Sequence, residues 1–204
     1  MTDRLDKQRV DDLRPTQMTV GMIEVTDKRR ELAHETKDER HDFLRKHPLP
    51  VVRGPGGQLF LIDHHHLARA LWEDAFEHGW CETVADFSGK TETAFWQEMQ
   101  ARHWTYPHDQ FGRTRTIADL PAHVSGLVDD PYRSLAGEAR RRGAYQKVEA
   151  PFAEFQWANF FRPKIVIGLG DEGFATALRK AVELARSPAA QHLPGFIAAE
   201  PAER

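Results

Sequence analysis

The segment Asp63–His66 places an aspartate and three consecutive histidines between an apolar run, residues 59–62, and a helical pattern that starts at Leu67. Ionisable groups at a strand-to-helix junction stand at the ends of rigid elements, where mixed α/β folds usually contact ligands. The N–H groups and partial positive charge of a helix N-terminus attract anions and disfavour a protonated imidazole. We therefore expect neutral histidines, which suit general-base catalysis or metal ligation.

The same four residues offer metal ligands. Asp63 with His64, His65 and His66 could contribute to a site for Mn²⁺, Ni²⁺ or Zn²⁺, where the metal would activate water and clamp a phosphodiester. Consecutive side chains rarely point to one focus, so we expect two of the four to converge. Glu24, in an early apolar segment, is the first candidate for a further ligand or base. Nickel or zinc acquired by adjacent histidines during purification would carry no physiological meaning.

Each of these residues also has a structural interpretation. Asp63 fits the N-cap of the following helix, a role that contributes about 1 kcal/mol through a backbone N–H bond. His64 fits a surface or packing residue, and Glu24 fits a solvated strand residue. For His65 and His66, the residues alone leave ligand and packing roles equally open.

A second cluster of charge consists of three adjacent arginines, Arg140, Arg141 and Arg142. They would form a local phosphate-binding surface. Since Gly143 follows, they also fit the basic last turn and the C-cap of a helix. The aromatic run 152–161 is more typical of a core or packed interface than of a base-stacking platform.

Composition limits the classes of function. The chain has 204 residues, with 28 Lys and Arg against 31 Asp and Glu, so a global basic field is excluded and any nucleic-acid contact must be local. The single Cys81 excludes an internal disulfide and a cysteine zinc cage. The polar N-terminus and the lack of an apolar stretch of about 20 residues predict a cytoplasmic protein without a membrane segment.

Local patterns predict the elements that position these residues. Val51–Val52 and residues 59–62 form two short strands around Gly54–Gly57, because glycine permits the positive φ of a tight turn. Residues 1–12 are expected to be a flexible tail. Helical patterns cover 27–47, 67–79, 92–102 and 174–186, and a further short strand covers 83–87.

The order of an early Leu-Arg-Pro segment at 13–15, a glycine-linked strand pair and an Asp-His-His motif resembles the ParB-like nuclease family of the ParB/sulfiredoxin superfamily. In that superfamily the motif resembles Asp-Gly-His-His-Arg, and it opens an apolar helix whose N-terminus holds a phosphate. Asp63 matches the acid, and His65 and His66 match the histidine pair. The segments 129–136 and 153–157 are also similar to this family.

Two positions depart from the superfamily motif. His64 stands at the glycine, and Leu67 stands at the phosphate-contacting arginine, with Arg69 the nearest substitute. Two residues along a helix are a rotation of about 200°, so we expect Arg69 to point away from the site that Leu67 faces. This departure disfavours nucleotide binding.

Together, the residues and the resemblance predict an α/β (α+β) fold of ParB/sulfiredoxin type, a small mixed sheet with helices. We expect this domain over residues 13–105, a helical C-terminal extension packed on it over 106–190, and flexible tails at 1–12 and 191–204.

The predicted function is a ParB-like nucleic-acid-processing protein, a metal-assisted nuclease and hence a hydrolase, with DNA as its partner. Asp63, His65 and His66 would form the site, with Glu24 as the assisting base and Mg²⁺ or Mn²⁺ as the cofactor. Basic side chains would hold phosphates of the substrate: Arg69, Arg140, Arg141 and Arg142. One alternative is a nucleotide-dependent phosphotransferase or nucleotide-binding protein with phosphate at the helix start. Another is a non-catalytic adaptor that recruits a partner through its aromatic segment.

Overall fold

The structure, a computed structural model, describes residues 5–198 and confirms the mixed α and β class. Two compact units divide between Asp129 and Asp130, later than the boundary near residue 105 that the sequence suggested. Within the described chain, no helix combines the length and apolarity needed to cross a membrane.

Strands and four of the helices make up the first unit. Its strands are β1 (Leu5–Arg9), β2 (Leu13–Pro15), β3 (Thr19–Val20), β4 (Leu49–Arg53), β5 (Leu59–Leu61), β6 (His78–Asp86) and β7 (Val128–Asp129). Its helices are α1 (Met22–His34), α2 (Lys37–Lys46), α3 (His65–Glu73) and α4 (Glu92–Ala101). A five-stranded sheet has the order β1-β6-β4-β5-β2, and β3 pairs with β7.

The hairpin of β4 and β5 confirms the strand prediction. The two strands are antiparallel, with Val51 opposite Leu61, and the turn between them has Gly56 at φ 69° and Gly57 at φ 77°. Only glycine adopts such angles without steric cost. Because β2 runs parallel to β5 and β6 runs parallel to β4, the sheet is mixed.

Apolar side chains cover both faces of this sheet. Val51 and Leu61 belong to a core shared with α1 and α3, whereas Val52 and Phe60 pack with Phe95 of α4 on the opposite face. Successive strand residues point to opposite faces, so a strand buried on both sides reads as a continuous apolar run. The sheet therefore lies between helices and holds the ends of its strands rigidly.

Three sequence predictions in this unit are wrong. The expected tail 1–12 contains β1, which pairs antiparallel with β6 and places Lys7 opposite Trp80. The single helix expected over 27–47 is two helices. Thr36 starts the second one with a capping box, since its side chain accepts from the Glu39 N–H and the Glu39 carboxylate accepts from the Thr36 N–H. The helix expected up to Gly79 ends at Glu73.

The regular elements of the second unit are helices within the residues that the structure describes. The unit contains α5 (Pro131–Arg141), α6 (Ala153–Phe161) and α7 (Gly170–Ala185). Part of the flexible tail expected over 191–204 is packed instead, since Phe196 forms a bridge with Tyr145. Trp157 and Phe161 of α6 are fully buried, and Tyr145 stacks on Trp157 with ring centroids 4.2 Å apart. The aromatic run is therefore a core, as its composition indicated.

Candidate functional site

The His triplet begins in a strained turn. His64 has a left-handed backbone, φ 58°, and its Nδ1 lies 2.8 Å from the Pro48 carbonyl oxygen. A left-handed residue at this position explains why the superfamily motif has glycine there. Asp63 is exposed, and its carboxylate accepts from the N–H of the next residue, His64, at 2.7 Å. The prediction that Asp63 caps α3 is wrong, since His64 is the N-cap residue.

His65 is a buried structural residue. Its side chain is packed between strand ends, and the residue is only 4% exposed. The Nε2 atom accepts from the Thr16 N–H at 3.3 Å. Burial, helped by the neighbouring His66, lowers the pKa of His65 to about 3, against the opposing effect of a hydrogen bond to the Leu61 carbonyl. His65 is therefore neutral at physiological pH and joins the ends of β2 and β5.

His66 meets Glu24. The His66 Nε2 atom lies 3.0 Å from Glu24 Oε2, and the two side chains are 19% and 11% exposed. Glu24 was expected in a strand, but it lies in the first turn of α1. His66 lies in the first turn of α3. The structure thus brings together one histidine of the triplet and the predicted assisting acid.

The Nε2 atom of His66 has a second partner. It accepts from the Gly21 N–H at 3.0 Å. The two partners favour opposite protonation states, because the Gly21 N–H needs a lone pair on Nε2 and an ionised Glu24 needs a proton there. His66 Nε2 therefore lies at hydrogen-bond distance from both a backbone donor and a carboxylate oxygen.

The three imidazoles do not form a metal centre. His64 is directed to Pro48, His65 to Thr16 and His66 to Glu24. Over residues 5–198, no group of three or more His, Cys, Asp or Glu side chains is placed to hold a metal ion. Catalytic zinc sites use three protein ligands, so the Glu24–His66 pair alone does not fit such a centre.

Arg69 does not serve the phosphate role expected for it. Its Nη1 atom donates to the carbonyl oxygens of Ser125 and Leu127 at 2.8 and 2.7 Å, and its Nε and Nη2 atoms donate to Glu73. Leu67, two residues earlier, lies in the core. Arg69 and Leu67 therefore point in different directions, as helix geometry predicted. The hydrogen bonds of Arg69 stabilise the chain segment just before β7.

Two of the three adjacent arginines in the second unit are also engaged. Arg140 Nε lies 3.1 Å from Glu154 Oε1, and Arg141 forms an ion pair with Glu138. Arg142 is exposed. Since Glu154 belongs to the segment 153–157 that is similar to the family, the ion pair gives that segment a structural role.

Asp130, a buried residue that caps α5 and pairs with Arg162, was not identified from the sequence. It is 1% exposed, and its carboxylate accepts from the Tyr132 N–H and from both Nη atoms of Arg162, the closer at 2.8 Å. Pro131 follows at the first helical position of α5. Asp at the N-cap followed by Pro at the first helical position is an N-terminal helix signal, so the sequence contained this information.

The sequence is similar to a known protein family. The sequence model of the family described as "Putative ParB-like nuclease" matches residues 7–163. The chain belongs to this family. A crystal structure of protein Atu1540 from Agrobacterium tumefaciens is similar to this ParB-like protein, with 43% identity and a TM-score of 0.88 over 97% of this chain and 100% of that chain. Comparison with curated proteins found no significant match.

Family membership confirms the resemblance based on the Asp-His-His motif. In this ParB-like protein the family match spans the elements that carry Glu24, His65 and His66, and it extends through α6. The matched region therefore includes the Glu24–His66 pair and the helices α5 and α6, and it ends before α7.

Proposed function

We propose that this ParB-like protein hydrolyses phosphodiester bonds in DNA, with Glu24 and His66 as its proton-transfer pair. The observation that carries the proposal is the 3.0 Å distance between the Glu24 carboxylate and the His66 imidazole in a largely buried position. A carboxylate and an imidazole at hydrogen-bond distance are a common general acid–base arrangement.

The proposed reaction needs one proton to move through this pair. The pair takes a proton from water as the water oxygen forms a bond to phosphorus. The same proton then passes to the leaving oxygen as its bond to phosphorus breaks, so the products are a phosphate monoester and an alcohol. Gly21 holds the imidazole in place through its N–H bond to Nε2.

The helix start next to the pair supports an anionic substrate. The cap residue His64 makes no side-chain hydrogen bond to the first turn of α3, so the cap side chain does not compete with a phosphate for the N–H groups of that turn. Asp63 and His65 act as positioning residues in this proposal. Asp63 holds the left-handed turn at His64, and His65 holds the strand ends.

The proposed proton transfers use no metal. Mg²⁺ is commonly held by one or two carboxylates together with substrate phosphates. The expected need for Mg²⁺ or Mn²⁺ is therefore tested by cleavage assays with and without each metal. The described side chains do not form a metal centre independent of substrate.

The two alternative functions have weaker support. A nucleotide-dependent phosphotransferase would need a basic side chain at the start of α3, but Leu67 is in the core and Arg69 is bonded to backbone and to Glu73. An adaptor that docks through its aromatic segment would need that segment exposed, and Trp157 and Phe161 are buried.

The test is cleavage of plasmid and single-stranded DNA by the full chain, with Mg²⁺, Mn²⁺ or a chelator. Glu24→Gln and His66→Gln are compared with Glu31→Gln, a matched change at an exposed residue of the same helix. We expect the wild type and Glu31→Gln to cut alike, and each site variant to lose about 100-fold or more in rate. An uncut substrate with wild type, or unchanged cutting by Glu24→Gln, would overturn the proposal.

A further inference from the structure

A groove in the first unit combines basic walls with an apolar floor. It has a volume of about 500 Å³ and lies where α2 meets β1, β6 and the chain before β6. The basic residues Lys7, Lys37 and Arg40 line it, together with the apolar residues Leu44, Phe76 and Trp80. Two histidines complete the polar lining, and it contains no carboxylate.

Helix geometry explains the basic wall on α2. Lys37, His41 and Leu44 are separated by four and three residues, so they lie on one face of the helix. The acidic residues Asp38 and Asp42 fall on the neighbouring stripe, outside the lining. The lining of the groove therefore carries three cationic side chains and no carboxylate, although the whole chain has a formal charge of −3. The carboxylates of Asp42 and Glu77 lie just outside it, beside the lining histidines.

Two of the three cations lie beside aromatic rings of the groove. The Lys7 ammonium lies 5.2 Å from the centroid of the Trp80 ring, and the Arg40 guanidinium lies 5.6 Å from that of Phe76. Cation–π contacts of this kind favour a charge that stays beside the ring. Arg40 donates one bond, from Nη2 to the Glu35 carbonyl oxygen, and retains further N–H groups for a ligand.

The lining chemistry selects the ligand. A basic wall attracts phosphates, and an apolar aromatic floor accepts a flat, weakly hydrated group. A single strand of nucleic acid offers both, because its bases are unpaired, whereas a duplex keeps its bases stacked inside. An acidic peptide offers charge without a flat base.

We propose that this groove binds single-stranded nucleic acid, with phosphates against Lys7, Lys37 and Arg40 and an unpaired base against the floor of Leu44, Phe76 and Trp80. This binding site goes beyond the proposed cleavage chemistry and does not depend on it, because none of its residues belongs to the Glu24–His66 pair.

The experiment measures fluorescence anisotropy of a labelled oligothymidylate with the full chain over a range of salt concentrations. The Glu24→Gln chain is measured in parallel, so that binding is read without cleavage. Lys37→Gln is compared with Lys180→Gln, the same change at an exposed position of α7 outside the groove. Competitors are an abasic oligomer, a blunt duplex and a polyglutamate peptide.

We expect Lys37→Gln to weaken binding and to reduce the slope of log affinity against log salt by about 0.7, the value for one phosphate contact with a single strand. Lys180→Gln should bind as the wild type does. The abasic oligomer should bind at least about fivefold more weakly, since stacking of one base contributes at least about 1 kcal/mol.

Three results would overturn the proposal. They are the absence of binding, equal binding of duplex and single strand, and equal competition by the abasic oligomer or by polyglutamate. Cleavage that fails while this binding persists would reject only the proposed Glu24–His66 chemistry, so the two proposals are separately testable.

Discussion

His65 Nε2 accepts a hydrogen bond from the backbone N–H of Thr16, and this contact places the central residue of the His triplet inside the fold. Thr16 also donates from its N–H and its hydroxyl to the Leu61 carbonyl oxygen, the hydroxyl at 2.8 Å. The ends of β2 and β5 are thus joined through one neutral imidazole. A histidine that appears reactive in the sequence has a structural role, and its neighbour His66 is the one that contacts Glu24.

The buried His65 should make stability depend on pH. Its folded pKa of about 3 lies below the usual value near 6.5, so between these values the unfolded chain binds a proton that the folded chain does not. The buried neutral imidazole makes its full contribution to the free energy of unfolding above pH 6.5. Below that pH the contribution falls by up to about 1.4 kcal/mol for each pH unit. Urea unfolding at several pH values between about 7 and 5 measures it.

A matched pair of variants isolates that effect. His65→Gln should flatten the pH dependence by one proton, whatever its effect on stability at neutral pH. His34→Gln, at an exposed position of α1, should leave the steep dependence in place. Equal slopes for His65→Gln and wild type would show that His65 is not buried and neutral.

Replacement of His64 should give an unusual order of stabilities. The left-handed φ of 58° costs a non-glycine residue about 1–2 kcal/mol, and the bond to the Pro48 carbonyl returns about 1 kcal/mol. His64→Gly removes both effects and should stay within about 1 kcal/mol of wild type. His64→Ala keeps the strain, loses the bond and should be less stable than His64→Gly. Thermal unfolding measures both, and a more stable alanine variant would contradict the left-handed turn.

Arg69 should matter for stability far more than a typical surface arginine. Arg69→Gln leaves the carbonyls of Ser125 and Leu127 without their donor and should cost about 3 kcal/mol. The same change at exposed Arg142 should cost under about 0.5 kcal/mol. Chemical denaturation of the two variants checks this difference. Similar small costs at both positions would mean that the Arg69 contacts do not persist in solution.

The single thiol should be unreactive in the folded protein. Cys81 is buried in β6, and burial, with a smaller effect of Asp6, raises the pKa of its thiol to about 12. Since the thiolate is the nucleophile, a disulfide reagent at neutral pH should label Cys81 only when the fold opens. Labelling in denaturant provides the control, and fast labelling of the native chain would contradict this burial.

Local sequence patterns were sufficient for part of the fold. The β4–β5 hairpin and the buried aromatic helix follow from apolar runs, glycines and helical periodicity, which depend on neighbouring residues alone. The edge strand β1 was not predicted because Leu5–Arg9 is mostly charged, as is common for edge strands. The break between α1 and α2 was not predicted, although Thr36 and Glu39 have the spacing of a capping box.

The site was harder to predict because its partners come from distant parts of the chain. Glu24 was selected as the acid of an early apolar segment, and its contact with His66 depends on how α1 and α3 pack. Backbone groups such as the Thr16 and Gly21 N–H carry no sequence signal, and they determine the directions of the His65 and His66 imidazoles. The position of Arg69 was predicted only in part. Helix rotation gives the direction of its side chain, but it does not identify the backbone carbonyls that it contacts.

The peptide bond between Asp129 and Asp130 joins two helix caps. Asp129 accepts from the Met22 N–H at the start of α1, and Asp130 accepts from the Tyr132 N–H at the start of α5. A gene divided after codon 129 leaves each half with the carboxylate that its own helix requires. Division one residue to either side transfers a cap to the wrong half, so this bond is the one place where a cut keeps both carboxylates with their helices.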